Sequence, residues 1–143
     1  MVIAGSAMGS QEADQLVLAA RELERCSVYA DLDDLGPLYD ECAVIVNPMR
    51  QGSGVKLKTV HAIQQGIPLV TTSVGAEGAG FQDLKHIRVA DEPQGFAAAI
   101  REILQNPSEA RAMADLAYAH LSETYDSDKN IGQLLATLET CGI

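Results

Sequence analysis

The chain has 143 residues, of which 47% are hydrophobic and 21% charged, with a formal net charge of −10. This size and balance suit one globular domain with a substantial core and exclude a disordered chain. The acidic excess argues against non-specific nucleic-acid binding or an anionic membrane surface as the main partner, which makes any local Arg/Lys cluster informative.

Cys26, Cys42 and Cys141 are odd in number and lack metal-ligand spacing, so buried thiols in a reduced cytoplasmic compartment are the simplest reading. No apolar run approaches the ~20 residues of a membrane span. The opening residues 1–4 are too short, and lack the basic flank, for a signal peptide.

In chain order, Val2, Ile3 and Ala4 read as a strand ending at Gly5, followed by a polar loop over residues 6–9. Ser10 stands at an N-cap position with Glu12 and Asp14 in the first turn. Leu16, Ala20 and Leu23 then predict an amphipathic helix to about Arg25. A short strand is expected at 27–30, then one or two helical turns over 35–42 with Pro37 early. The apolar run 43–46 predicts a buried strand. Gly52, Ser53 and Gly54 form a flexible loop, and residues 55–65 suit a helix closed by Gly66 and Pro68. Residues 69–72 read as a strand, 74–80 as a glycine-rich loop and 87–89 as a last short strand.

Three helices complete the chain. Asp91 caps the first, with Pro93 in its first turn and Gln94 in the capping-box place; Phe96, Ala99, Ile100 and Ile103 form its stripe. Asn106 caps the second, with Pro107 at N1 and Ala110, Met113, Ala117 and Leu121 inward. The third starts after Ser127 and carries Ile131, Leu134, Leu135 and Leu138. Strands alternating with helices imply an α/β fold, a Rossmann-like parallel sheet covered by helices on both faces, with the C-terminal helices packed alongside. A single domain over 1–143 is expected, its core about 1–125 and its C-terminal helix about 127–141.

The strand, glycine loop and helix around residues 43–65 gather backbone N–H groups and a positive helix end at one spot, which favours an anion. Lys56 and Lys58 in the first turn oppose that dipole unless an anion accompanies them; the alternative is two solvated lysines over an ordinary turn. Ligands of open α/β sheets bind beyond the carboxyl ends of the strands. That end collects residues 5–9, 31–35, 47–55, 71–73 and 75–80, rich in Gly, Ser and Thr. Gly54, Lys58, His61 and Gln65 share a helix face, so His61 is either within reach of the ligand's next group or an ordinary surface histidine. His86 and His120 have no Cys, Asp or Glu at ligand spacing, and neither a zinc site nor a catalytic triad is visible. The Walker phosphate loop and the G-x-G-x-x-G fingerprint are absent.

The run "NPMRQGSGVKLKTVHAIQQGIPLVTTSVGAEG" resembles the signature of the C-terminal, donor-binding domain of GT-B-fold, group 1 retaining glycosyltransferases, P-x-R-x-G-x-G-x-K-x-K-x-x-E-A-x-x-x-G-x-P-V-V-T-T-x-x-G-x-E-G. Pro48, Arg50, Gly52, Gly54, Lys56, Lys58, Ala62, Gly66, Pro68, Val70, Thr71, Thr72, Gly75, Glu77 and Gly78 carry it. The upstream stretch with Leu35 and Tyr39, and the downstream run 88–104, are similar to the family's flanking segments.

The resemblance implies a nucleotide-diphosphate sugar as donor. Gly52, Ser53, Gly54, Val55 and Lys56 would meet the sugar and diphosphate, position 61 the ribose, and the turn at Asp34 and Leu35 the base. Arg50, Lys58 and Thr72 complete the expected set. It implies no cofactor and no metal in this domain. Two departures stand out. His61 replaces the family's glutamate and offers one acceptor nitrogen in place of two carboxylate oxygens. The chain also begins at the family's second strand, so the first strand and the N-terminal acceptor domain would lie elsewhere, in the same or another chain. Isolated, it is expected to be inactive, and self-association through an open sheet edge is expected. A different class of function is a Rossmann-like assembly module that has lost donor binding. A phospho-receiver domain fits less well, because the third strand ends in Asn47 where such a domain needs a phospho-accepting Asp.

Overall fold

The structure is a computed structural model describing residues 1–5, 15, 17–20 and 22–141. The polar loop at 6–9 and most of the expected first helix, Leu16 included, lie outside the described residues. Residues 17–20 are helical, whereas 22–25 already turn, with Arg25 at φ 80°. The chain divides into two compact units, residues 1–41 and 42–143.

In the first unit, β1 (Val2–Gly5) pairs in parallel with β2 (Ser27–Ala30), Val2 opposite Ser27 and Gly5 opposite Ala30. A short helix α1 (Gly36–Asp40) follows, with Pro37 in its first turn, where a missing N–H costs nothing. Asp34 Oδ1 accepts from the Gly36 N–H at 2.8 Å and stabilises the turn into it.

The second unit holds a parallel sheet in the order β3-β4-β5, from Ile45–Asn47, Leu69–Thr71 and Arg88–Val89. Its helices are α2 (Leu57–Gln64), α3 (Ser73–Ala76), α4 (Pro93–Gln105), α5 (Pro107–Thr124) and α6 (Ser127–Thr140). Central β4 is fully buried. Successive strand residues face opposite ways, so Leu69 joins Ala62, Ile63, Phe81, Ile87, Ala117 and Leu121 on one side. Val70 meets Ala99, Ile103 and Ala110 on the other. The chain adopts the expected α/β architecture of parallel strands with helices on both sides, its strands forming one two-stranded and one three-stranded sheet.

Boundaries differ from expectation for local reasons. Strand β3 starts at Ile45 and is not wholly buried, because Val46 faces outward while Asn47 is buried. Helix α2 begins at Leu57, with Lys56 as its extended N-cap at φ −92°, ψ 103°; hence Gly54 is not on the helix, and only Lys58 and His61 of the expected face lie within it. Residues 73–76 form a helical turn where a loop was expected, because Thr72 caps it by accepting from the Gly75 N–H at 3.0 Å. Glu92, not Asp91, is the N-cap of α4. Helix α6 starts at Ser127 behind a genuine cap, Asp126, which accepts from the Lys129 N–H at 2.9 Å. It buries no residue, and its Ile131, Leu134, Leu135 and Leu138 are exposed. Among the described residues, no helix is long and apolar enough to cross a membrane.

Candidate functional site

At the carboxyl ends of β3 and β4 a buried polar network ties four elements together. Thr71 Oγ1 donates to the Asn47 carbonyl at 2.9 Å, and Thr59 Oγ1 donates to the Gly75 carbonyl at 2.6 Å. Asn47 Nδ2 donates to Thr59 Oγ1 at 3.1 Å, and Thr72 Oγ1 donates to the Met49 carbonyl. Strand end, following loop, α2 and α3 are thereby fixed in one arrangement, with each buried hydroxyl satisfied. Asn47 and Thr59 carry this network, and neither was singled out for it from sequence. Thr59 stands four residues before buried Ile63, so the helical period does place it inward.

The loop 52–55 lies on this platform. Gly52 and Gly54 take φ of 127° and 68°, a region that L side chains rarely adopt. Among the described residues, a Cβ on Gly54 would meet nothing within 4 Å, so the loop's outer side is open to them. Its inner side is the opposite case. Gly78, at φ 87°, comes so near that a Cβ there would lie 2.8 Å from the Val55 nitrogen. Residues 75–80 therefore pack backbone to backbone against 54–55.

Lys56 is the off-pattern residue. It is only 5% exposed. Its Nζ donates to the Gly54 carbonyl at 2.6 Å and to Glu77 Oε2 at 3.0 Å. A lysine is rarely buried to this degree without a partner, and Glu77 supplies one. Lys58 is a surface cation at N2 of α2, exposed and outside the ion pairs among the described residues. Arg50, Ser53, Val55 and His61 are exposed, Thr72 is buried, and Gly52 is open to solvent. The second unit thus brings Arg50, Gly52, Ser53, Gly54, Val55, Lys56, Lys58, His61 and Thr72 onto one loop, one helix start and one strand end. Asp34 and Leu35 belong to the first unit, where Asp34 accepts from the Gly36 N–H and half-buried Leu35 is the N-cap of α1.

Asp91, expected as a helix cap, instead receives the Ser73 N–H at 2.8 Å and the Ser73 hydroxyl at 2.7 Å. Those bonds, first from the side chain and then from the backbone, lower its pKa from 3.8, and the Arg50 charge adds to the effect. The two other histidines pair in a way the sequence did not signal. His86 and His120 rings stack with centroids 4.7 Å apart, and Phe81 packs edge-on against both. Burial, then His120 and Lys85, lower the His86 pKa from 6.5.

Among the described residues, no group of three or more His, Cys, Asp or Glu is placed to hold a metal ion. The site offers open glycine backbone, a helix start and two exposed cations. That is chemistry for holding an anion.

Comparison with known proteins identifies a family and a fold. The family of group 1 glycosyl transferases matches residues 1–106. A Klebsiella pneumoniae protein described as an uncharacterized 44.6 kDa protein in a cps region is 34% identical over 97 residues, which are 68% of this chain and 25% of that one. Among solved structures, Anabaena Alr3699/HepE in complex with UDP-glucose superposes with a TM-score of 0.77 at 18% identity, over 97% of this chain and 40% of that one. Sucrose-phosphate synthase from Thermosynechococcus elongatus does so with a TM-score of 0.79 at 18% identity, over 98% of this chain and 38% of its own. The chain therefore spans about a quarter of that curated relative and about two fifths of these solved ones.

Proposed function

Because the chain belongs to the group 1 glycosyltransferases, we propose that it is a donor-binding domain, holding a nucleotide-diphosphate sugar for transfer to an acceptor. The observation that carries this is the loop 52–55. Two positive-φ glycines expose its backbone, a Cβ on Gly54 would meet no described residue within 4 Å, and a helix starts immediately behind it. Backbone N–H groups and the helix end would hold the diphosphate. Exposed Arg50 and Lys58 would balance its charge, Thr72 would support the loop from the strand end, and His61, one turn further along, would meet the ribose. The Anabaena relative was solved with UDP-glucose, a ligand of this class. Transfer needs an acceptor-binding half as well, which we assign to further sequence in the same or a partner chain; this domain by itself binds donor without turnover.

The test is calorimetric titration of wild type, Gly54→Val and Lys58→Ala with nucleotide diphosphates. Weaker binding in both variants at unchanged folding supports the loop as the site. Equal affinity in both would place the anion elsewhere.

His61 at the family's glutamate position favours a second reading, a module that keeps the fold for assembly and binds donor poorly. His61→Glu distinguishes the two. Stronger nucleotide binding in the variant means the ribose contact is real, whereas no binding in either form supports the assembly role.

A further inference from the structure

We propose that Lys56 and Glu77 are positioning residues: their ion pair clamps residues 52–55 onto the 75–80 loop, so that the loop backbone rather than the Lys56 ammonium meets the ligand's diphosphate. The inference rests on the donor-binding reading and assigns Lys56 a role opposite to that of a direct phosphate ligand.

Three observations carry it. First, the ammonium is turned inward. Its stem passes beneath Gly52, whose Cβ would lie 3.5 Å from Lys56 Cε, and Nζ ends on the Gly54 carbonyl and Glu77. Second, Glu77 leaves α3 as its C-cap, immediately before Gly78, the residue that touches the 54–55 backbone. The ion pair and the backbone contact therefore act on the same two loops from adjacent positions. Third, the charge of Lys56 is already matched by Glu77. Exposed Lys58, and Arg50 beyond its interaction with Asp91, face an incoming anion.

A clamp and a direct ligand predict opposite signs for Glu77. If Lys56 contacts phosphate, removing the competing carboxylate frees the ammonium and strengthens binding. If the pair is a clamp, removing the carboxylate loosens the loop and weakens binding. Glu77 is half exposed, so Glu77→Ala and Glu77→Gln open no cavity in the core, and Lys56 keeps the Gly54 carbonyl as a partner; thermal melting confirms that each variant is folded before binding is read.

The experiment has two arms on the full chain. Without ligand, backbone ¹⁵N relaxation compares wild type with Glu77→Ala and Lys56→Met. The clamp predicts order parameters at residues 52–55 near the rigid value of about 0.85 in wild type, falling toward about 0.6 in both variants, while β4 is unchanged. Unchanged loop values would overturn it. With UDP as probe, the clamp predicts affinity falling on the order of tenfold in Glu77→Ala and less in Glu77→Gln, which still accepts a hydrogen bond. The Lys56→Met/Glu77→Ala double variant should be no weaker than the worse single variant, since both remove one interaction. Tighter binding in Glu77→Ala would overturn the clamp and make Lys56 a phosphate ligand. If wild type binds no nucleotide, the donor-binding reading fails, and the order parameters alone still decide whether the clamp exists.

Discussion

Gly75→Ala separates tertiary packing from local propensity, because the two demand opposite signs. Gly75 lies within the helical turn α3, without a positive φ. Propensity alone therefore predicts that alanine stabilises by about 1 kcal/mol. The structure predicts the reverse. A Cβ at this position would come within 3.0 Å of Thr71 Oγ1, closer than real Cβ atoms come, and 3.4 Å from both Asn47 Nδ2 and the Asn47 carbonyl. Thr71 is wholly buried and its hydroxyl holds the Asn47 carbonyl, so rotating it away leaves both groups unsatisfied. Overpacking costs about 1–3 kcal/mol, and an orphaned buried polar group a further ~1–3 kcal/mol. Offset by propensity, the expected destabilisation is about 1–5 kcal/mol, or roughly 3–17 °C in melting temperature for a chain of this length. Urea unfolding followed by circular dichroism measures it. Thr71→Ala removes the clashing oxygen, so the Thr71→Ala/Gly75→Ala double variant should resemble Thr71→Ala alone, with a coupling of about 1–3 kcal/mol. A neutral or stabilising Gly75→Ala, or strictly additive effects, would refute the packing argument.

Other expectations follow from the same structure. The Asp91 pKa lies below 3.8 when folded, so its bonds to Ser73 stabilise fully above that value and are lost as pH falls through the lower folded value. The urea midpoints of wild type and Asp91→Asn should accordingly differ at neutral pH and converge in acid; a constant difference down the whole range contradicts the assignment. By NMR titration, His86 should protonate below 6.5, and His120→Ala should move it back upward by removing the neighbouring charge; no movement means that burial and Lys85 set it without His120. Ile63, 1% exposed, should cost about 2–5 kcal/mol on truncation to Ala. By contrast, Leu134→Ser with Leu135→Ser on α6 should change stability by less than about 0.5 kcal/mol per site. Sedimentation should show whether that exposed stripe drives self-association: the double serine variant dissociates a dimer if it does, and leaves the distribution unchanged if it does not.

The layering of the fold was legible because its signals are local. The apolar strand starts at Leu69 and Val70, the proline-led helices at Pro93 and Pro107, and the stripe through Ala110, Ala117 and Leu121 all lie where periodicity put them. Long-range partners were not legible. Asp91 has the form of a helix cap and lies two residues before Pro93, yet its carboxylate reaches Ser73, eighteen residues away in sequence. Lys56 reads as a phosphate-facing cation in any linear motif. Only the return of the chain at Glu77, twenty-one residues on, turns its ammonium inward. The motif marked Glu77 and Gly78 without a reason, and the approach of Gly78 to Val55 supplies one. His86 and His120 looked ordinary singly because stacking depends on the packing of α5 against the loop before β5.

The most direct test of the donor-binding claim is the stability of the full chain titrated with UDP-, GDP- and ADP-sugars. The account predicts that one nucleotide series raises the unfolding free energy saturably, by about 2.7 kcal/mol at one hundred times its Kd, and that Gly54→Val abolishes the effect. No stabilisation by any of them at millimolar concentration would contradict it.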